Sequence, residues 1–158
     1  MAEIRFADER DTETILRFIR ALAEYEHLSD ACVADADSLR AGLFGVRPYA
    51  EVLLIEDRNG PHGFALFFHN FSTFMARPGI WLEDLFVDPA QRGKGYGKAL
   101  LKRLAEIAVE RGCSRLEWSV LDWNKPSIDF YISLGARPMD EWTTYRLDGP
   151  SLSGLARS

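Results

Sequence analysis

The sequence predicts a mixed α/β domain, a twisted and mostly antiparallel sheet of about six to seven strands flanked by about four helices. Three observations carry this. Segments of alternating apolar and polar residues recur along the chain as strands do. Asn59-Gly60-Pro61 punctuates two apolar, aromatic-rich runs as a hairpin turn would. A long amphipathic helix pattern then follows a strand directly, across a turn carrying Gly93, Gly95 and Gly97.

The elements follow in order. EIRFA at 3–7 alternates Ile4 and Phe6 with polar neighbours as a short strand. Ile15, Phe18, Ile19, Leu22 and Ala23 recur at helical spacing, with Asp11 or Asp8 available as cap. DADSLRAGLFG offers a shorter helix capped by Asp35 or Asp37. AEVLLIED (50–57) and FALFFHNFSTF (64–74) form the hairpin, and IWLEDLFVD (80–88) is a strand stopped by Asp88-Pro89. Beyond the glycines, Leu100, Leu101, Leu104, Ile107 and Ala108 make one apolar face of a helix that Gly112 terminates. RLEWSVL reads as a strand, NKPSIDFYISLG as a short helix closed by Gly135, and TTYRLD as a final strand. Residues 1–150 are expected to form a single domain, with 151–158 a frayed tail.

Bulk properties narrow the function. The chain has 158 residues, 47% hydrophobic and 27% charged, the balance of an ordinary globular protein. A net charge of -5 without a lysine or arginine run argues against nucleic-acid binding by phosphate attraction, and it favours a small cationic partner. No apolar stretch approaches the ~20 residues that span a bilayer, and MAEIRFADERD lacks a signal-peptide pattern. No membrane association and a cytoplasmic location are therefore expected. Cys32 and Cys113 suggest neither a disulfide framework nor a zinc site, and His27, His62 and His69 lack metal-ligand spacing.

The glycine segment raises the chemical question. Glycine loses more chain entropy on folding than any other residue, so three within one strand-to-helix turn need a compensating role. Small residues at a helix start let an anion approach its unpaired amides, and Arg92, Lys94 and Lys98 add mobile positive charge. A Walker A loop would need glycine where Arg92 stands and a hydroxyl where Ala99 stands. A dinucleotide fingerprint, G-x-G-x-x-G, would need its third glycine one residue later, although Glu117 downstream imitates that fold. A dinucleotide-binding redox module thus stays open.

Arg92-Gly93-Lys94-Gly95-Tyr96-Gly97 fits the pattern R/Q-x-x-G-x-G/A, preceded by Val87-Asp88-Pro89 and followed by an asparagine-led helix carrying Phe130-Tyr131. In this it resembles the GCN5-related N-acetyltransferase family. LAEYEHL (22–28), WLEDLFV (81–87), LDWNKPSIDFY (121–131) and LGA (134–136) are similar to the diamine acetyltransferase branch, which holds the spermidine/spermine and thialysine acetyltransferases. The resemblance reaches about residue 147. It departs at PMDEWTTYRL (138–147), where the branch has a glycine-tryptophan pair and here Trp142 follows Glu141.

The resemblance implies an acetyl-coenzyme A donor and direct transfer to a primary amine, most simply a polyamine, diamine or lysine-like amine. It implies that Arg92, Gly93, Lys94, Gly95, Tyr96, Gly97 and Lys98 hold the coenzyme's pyrophosphate. Leu85, Phe86 and Val87 would receive its pantetheine arm where the sheet splays. By the same resemblance, Asn124, Lys125, Pro126 and Ser127 would form a second coenzyme contact, and Tyr131 would donate a proton to the departing sulfur. Glu83 would be the acceptor-side carboxylate and water-mediated base. Tyr25, Glu26, Asp84, Glu117, Trp118 and Ser119 would complete the acceptor site, and the homodimers of the branch imply one here. Apart from the resemblance, Tyr131 could be a core aromatic. Glu83 and Asp84, neighbours in a strand, should face opposite sides of the sheet, so that one enters a cleft and suits a cationic amine; the alternative leaves one solvated and the other paired with an arginine such as Arg5. Acetylation of a protein or peptide amine also stays open, as does a noncatalytic role in sensing acetyl-coenzyme A.

Overall fold

The computed structural model describes residues 1–158, which form two compact units, Met1–Ser119 and Val120–Ser158. The first unit is built on a five-stranded sheet in the order β1 (Glu3–Phe6), β2 (Glu51–Asp57), β3 (Gly60–Ser72), β4 (Arg77–Val87), β5 (Leu116–Trp118). The first four strands run antiparallel in sequence order, β2–β3 and β3–β4 across short turns and β1–β2 across a long helical segment, and β5 joins β4 in parallel. The sheet has fewer strands than the sequence suggests, while five α-helices exceed the four expected.

Each face of the sheet carries a helix because each helix has one apolar stripe. Helix α1 (Thr12–Tyr25) buries Ile15 and Phe18 against Val52, Leu54, Phe64, Leu66 and Phe86, with the Phe18 and Phe64 rings stacked 5.6 Å apart. Helix α2 (Ala36–Phe44) starts at Asp35, whose carboxylate accepts the Ser38 amide at 2.8 Å, and adds Leu43 to that core. Helix α3 (Tyr96–Glu110) buries Leu100, Leu101, Leu104, Ile107 and Ala108 and packs on β2, β3 and β4. Arg5 does not pair with Glu83 or Asp84; its guanidinium binds Asp11 at 2.8 Å and Glu56 at 2.7 Å, tying β1 to β2 and to the start of α1.

In the second unit, α4 (Lys125–Ser133) begins at Asn124, with Pro126 in its first turn, and ends before Gly135 at φ 91°. Two expectations fail here. Thr143–Asp148 is not a strand, because a strand exists only through its ladder and the sheet ends at β5. The tail is not frayed coil: α5 spans Gly149–Arg157, with Pro150 in its first turn, where proline's missing N–H costs nothing.

Candidate active site

The centre of the first unit is an irregularity in β4. The β3–β4 ladder pairs Phe68 with Trp81 and Phe67 with Leu82, then Leu66 with Asp84, so Glu83 is an extra residue with no opposite number. Directly paired residues share a face. Trp81 and Asp84 therefore lie on the α1 face with Phe68 and Leu66, although their spacing is odd. Glu83 stays with them, since its carboxylate accepts the Trp81 indole N–H at 3.0 Å. This corrects the expectation that strict alternation sends Glu83 and Asp84 to opposite faces. A bulge of this kind re-aims side chains, and it gathers two carboxylates on one surface.

Their electrostatics differ. Glu83 is exposed, whereas Asp84 is half-buried. Burial, with the neighbouring charges of Glu83 and Glu26, pushes the Asp84 carboxyl up to about 6. Glu26, the C-cap of α1, is itself raised by burial. The β4–β5 register places Glu117 beside Trp81 on this face and Trp118 beside Leu82 on the other. Glu117 has a cation nearby, Arg115, at 3.8 Å. Four of the expected acceptor residues, Glu26, Glu83, Asp84 and Glu117, are thus brought to one face; Trp118 is not, and Ser119 is exposed beyond the end of β5.

The sheet opens beside this cluster. β5 pairs with β4 only at Ile80, Trp81 and Leu82, so the β4 edge from Glu83 to Val87 has no strand partner on that side. The opening takes in Leu85–Val87, where the resemblance implies a splay. After Val87 the chain makes a short turn at Pro89–Gln91, and Gly93 and Gly95 take left-handed conformations with φ 83° and 80°. Gly95 is the N-cap of α3 and no side chain caps it, so the first amides of α3 keep their hydrogen-bonding capacity. Gly97 has ordinary helical placement, and a Cβ there would meet nothing within 4 Å. Its smallness leaves open space in front of those amides, a fit for a pyrophosphate that packing inside the protein does not require. Lys94 reaches Gln91 at 2.6 Å, while Lys98 is exposed.

Arg92 links the two halves of this surface. Its Nε donates to the Val87 carbonyl at 3.2 Å, and its guanidinium lies 5.0 Å from the Tyr25 ring centre and 5.7 Å from that of Phe86. The end of α1, with Tyr25 and Glu26, is thereby held against the glycine turn. Two participants are not among the residues expected from sequence. Trp81 positions Glu83, and the strand period, which places residues i and i+2 on one side, is the signal that could have found it. His62 packs its ring on Tyr96, and nothing in its spacing announces that.

In the second unit, Asn124 is buried and its side-chain oxygen accepts the Ser127 amide at 3.4 Å, satisfying a donor at the start of α4. Lys125 pairs with Asp129 at 2.7 Å. The Phe130 and Tyr131 rings lie 5.7 Å apart at 47°. Asn124, Lys125, Pro126 and Ser127 thus sit together at one helix start, with Tyr131 near the other end of the same helix.

An opened sheet edge, an uncapped glycine-rich helix start and an acidic face together form a surface suited to moving an acyl group onto an amine. Residues 8–136 match the family model described as "Acetyltransferase (GNAT) family", and the chain belongs to that family, as an acetyl-coenzyme A-dependent N-acetyltransferase. It is 41% identical to the thialysine N-epsilon-acetyltransferase of Bos taurus, over 97% of this chain and 96% of the relative. It is 31% identical to an L-ornithine N5-acetyltransferase of Arabidopsis thaliana, over 98% of this chain and 87% of the relative. Among solved structures, an integron cassette protein from the mobile metagenome of V. cholerae superposes with a TM-score of 0.84 at 30% identity, covering 99% of this chain and 98% of that one.

Proposed function

We propose that the protein transfers acetyl from acetyl-coenzyme A to one nitrogen of a small diamine or lysine-like amine, by direct attack. The observation that carries this is the bulge, which brings Glu83 and Asp84 to one face with Glu26 and Glu117, beside the glycine turn. The names of the thialysine and ornithine acetyltransferase relatives support the same class of acceptor, a chain with two amino groups, and polyamines belong to it.

The chemistry divides between these groups. The reacting amine is an ammonium in solution, with a pKa of about 10.4, and must lose a proton before its lone pair can attack. A carboxylate at about 6 is a better proton acceptor than an ordinary aspartate, so Asp84 suits that role, directly or through water, with Glu83 sharing it. Glu26 and Glu117 then hold the acceptor's second, still charged nitrogen. The nitrogen bonds to the thioester carbonyl carbon, the carbon–sulfur bond breaks, and the acetyl group leaves on nitrogen. Tyr131 supplies the proton to the departing sulfur, a role that rests on its match to the family motif. The donor supplies the activated acyl group. For this chain, Gly93–Lys98 offer the amides and charges for its pyrophosphate and Leu85–Val87 the open edge for its arm; a second contact at Asn124–Ser127 rests on the match to the family motif alone.

The reading extends to a homodimer in the cytoplasm. Met139, Trp142, Tyr145, Leu147, Leu152 and Leu155 are all exposed, apolar side chains that a second copy would cover. Cys32 and Cys113 are both free thiols, which suits a reducing compartment, and no helix is long and apolar enough to cross a membrane.

An acceptor panel tests the proposal: thialysine, ornithine, spermidine, putrescine, butylamine and a lysine-containing peptide, each with acetyl-coenzyme A. Diamines should exceed butylamine in kcat/KM by at least tenfold. Acetylation of the peptide but of no small amine would overturn the acceptor assignment. Loss of turnover with intact coenzyme binding in Tyr131→Phe would exclude a noncatalytic sensor, and protection against heating by NAD rather than coenzyme A would point to a redox module.

A further inference from the structure

His62 has no place in the chemistry above, yet it is one of few buried polar side chains, only 7% exposed. It lies at the start of β3, and its ring stacks on Tyr96 with centres 5.9 Å apart and planes 14° from parallel. Its main-chain carbonyl accepts the Asp88 amide at 2.8 Å. Asp88 begins the glycine turn and Tyr96 is the first residue of α3, so one residue grips both ends of 89–95. His62 is itself held. Its Nε2 lies 2.8 Å from Asp57 Oδ1, a close contact without hydrogen-bond alignment, and the same Asp57 oxygen accepts the Asn59 amide at 2.7 Å in the β2–β3 turn. The next residue, Gly63, is so close to β4 that a Cβ would sit 2.6 Å from the Phe86 carbonyl oxygen. The seat cannot shift without moving the strand.

We infer that His62 is a positioning residue for the coenzyme: through its stack on Tyr96 it sets the direction in which the first amides of α3 point. The inference rests on the reading of Gly93–Lys98 as the pyrophosphate site. The physical need is clear from the turn itself. Gly93 and Gly95 are free to take many backbone conformations, and a ligand that needs several amides in one orientation binds more weakly if it must order them first. A ring wedged beneath Tyr96 removes part of that ordering before the ligand arrives. His62 acts through Tyr96 and Asp88, not on the reacting atoms.

The test measures coenzyme A affinity by calorimetry, with steady-state kinetics, in the full chain. His62→Ala should raise the Kd for coenzyme A about fivefold, as expected for loss of one aromatic pair. The KM for the amine and kcat at saturating donor should stay within twofold. His62→Phe keeps a flat ring against Tyr96 and should restore the Kd to within twofold of wild type. Should His62→Ala fail to fold, His62→Gln, which keeps a polar side chain but no ring against Tyr96, should give the same rise. An unchanged Kd in the folded alanine variant, or in His62→Gln, overturns the inference, as does a phenylalanine variant as weak as the alanine one. A wild-type protein that does not bind coenzyme A would instead overturn the pyrophosphate assignment, which separates the two failures.

Discussion

Replacing Asp84 by asparagine should make the protein more stable and less active at the same time, and both differences should grow as pH rises from about 4 to 8. The carboxyl has an ordinary value of 3.8 and is pushed up to about 6 in the folded chain. Between about pH 4 and 6 the folded state therefore binds more protons than the unfolded one, and stability falls as pH rises through that window. A two-unit displacement corresponds to a ceiling of ~3 kcal/mol, and partial exposure reduces this to ~1 to 2 kcal/mol at pH 8. Asparagine has nearly the same shape and no charge to bury. In urea, with a slope of about 1 to 3 kcal/mol/M, the midpoint at pH 8 should move up by roughly 0.5 to 1 M, and the difference should shrink toward zero near pH 4. The same substitution removes the proton acceptor. The wild-type kcat/KM profile should carry an acid limb near pH 6, and the variant should lose both that limb and at least a hundredfold in kcat/KM. A variant that is no more stable at pH 8 and keeps an acid limb near pH 6 would refute the reasoning.

Three further substitutions separate fold from function. Gly97→Ala fills space that is empty in front of α3, so melting temperature should hold or rise, while coenzyme A affinity falls at least fivefold. Gly95→Ala should instead lower stability by ~1 kcal/mol as well as affinity, because its φ of 80° disfavours any Cβ; thermal denaturation distinguishes the two. Glu26→Gln should raise the KM for a diamine several-fold and leave the coenzyme KM unchanged, and a selective effect on the coenzyme would contradict its place beside Asp84.

The parts of this protein legible in its sequence are those in which local preference and tertiary packing agree. Ile15 and Phe18 on α1, Leu100 to Ala108 on α3, and the Asn59-Gly60 turn each follow from periodicity or turn chemistry and recur in the structure. Gly93 and Gly95 stand out because only glycine takes their conformation cheaply. The bulge at Glu83 does not, since β4 carries no glycine or proline there and the slip is set by how β3 pairs with it. That single slip changes which face two carboxylates share, and strict alternation therefore assigns only one of them to the acceptor side. TTYRLD has good strand composition, but a ladder partner is a property of the rest of the molecule. His62 is opaque for the same reason: its neighbours Asp57, Asp88 and Tyr96 are brought together by tertiary packing.

The central claim is that this acidic face presents an amine directly to the acetyl donor. The most direct measurement follows acetyl-coenzyme A, thialysine and purified protein over time, with free thiol counted by a colorimetric reagent and acetylated amine by mass spectrometry. The account predicts one acetylated amine for each thiol released, no acetyl group left on the protein, and loss of both products in Asp84→Asn. Thiol release without acetylated amine, or an acetylated protein that forms before the product, would contradict it.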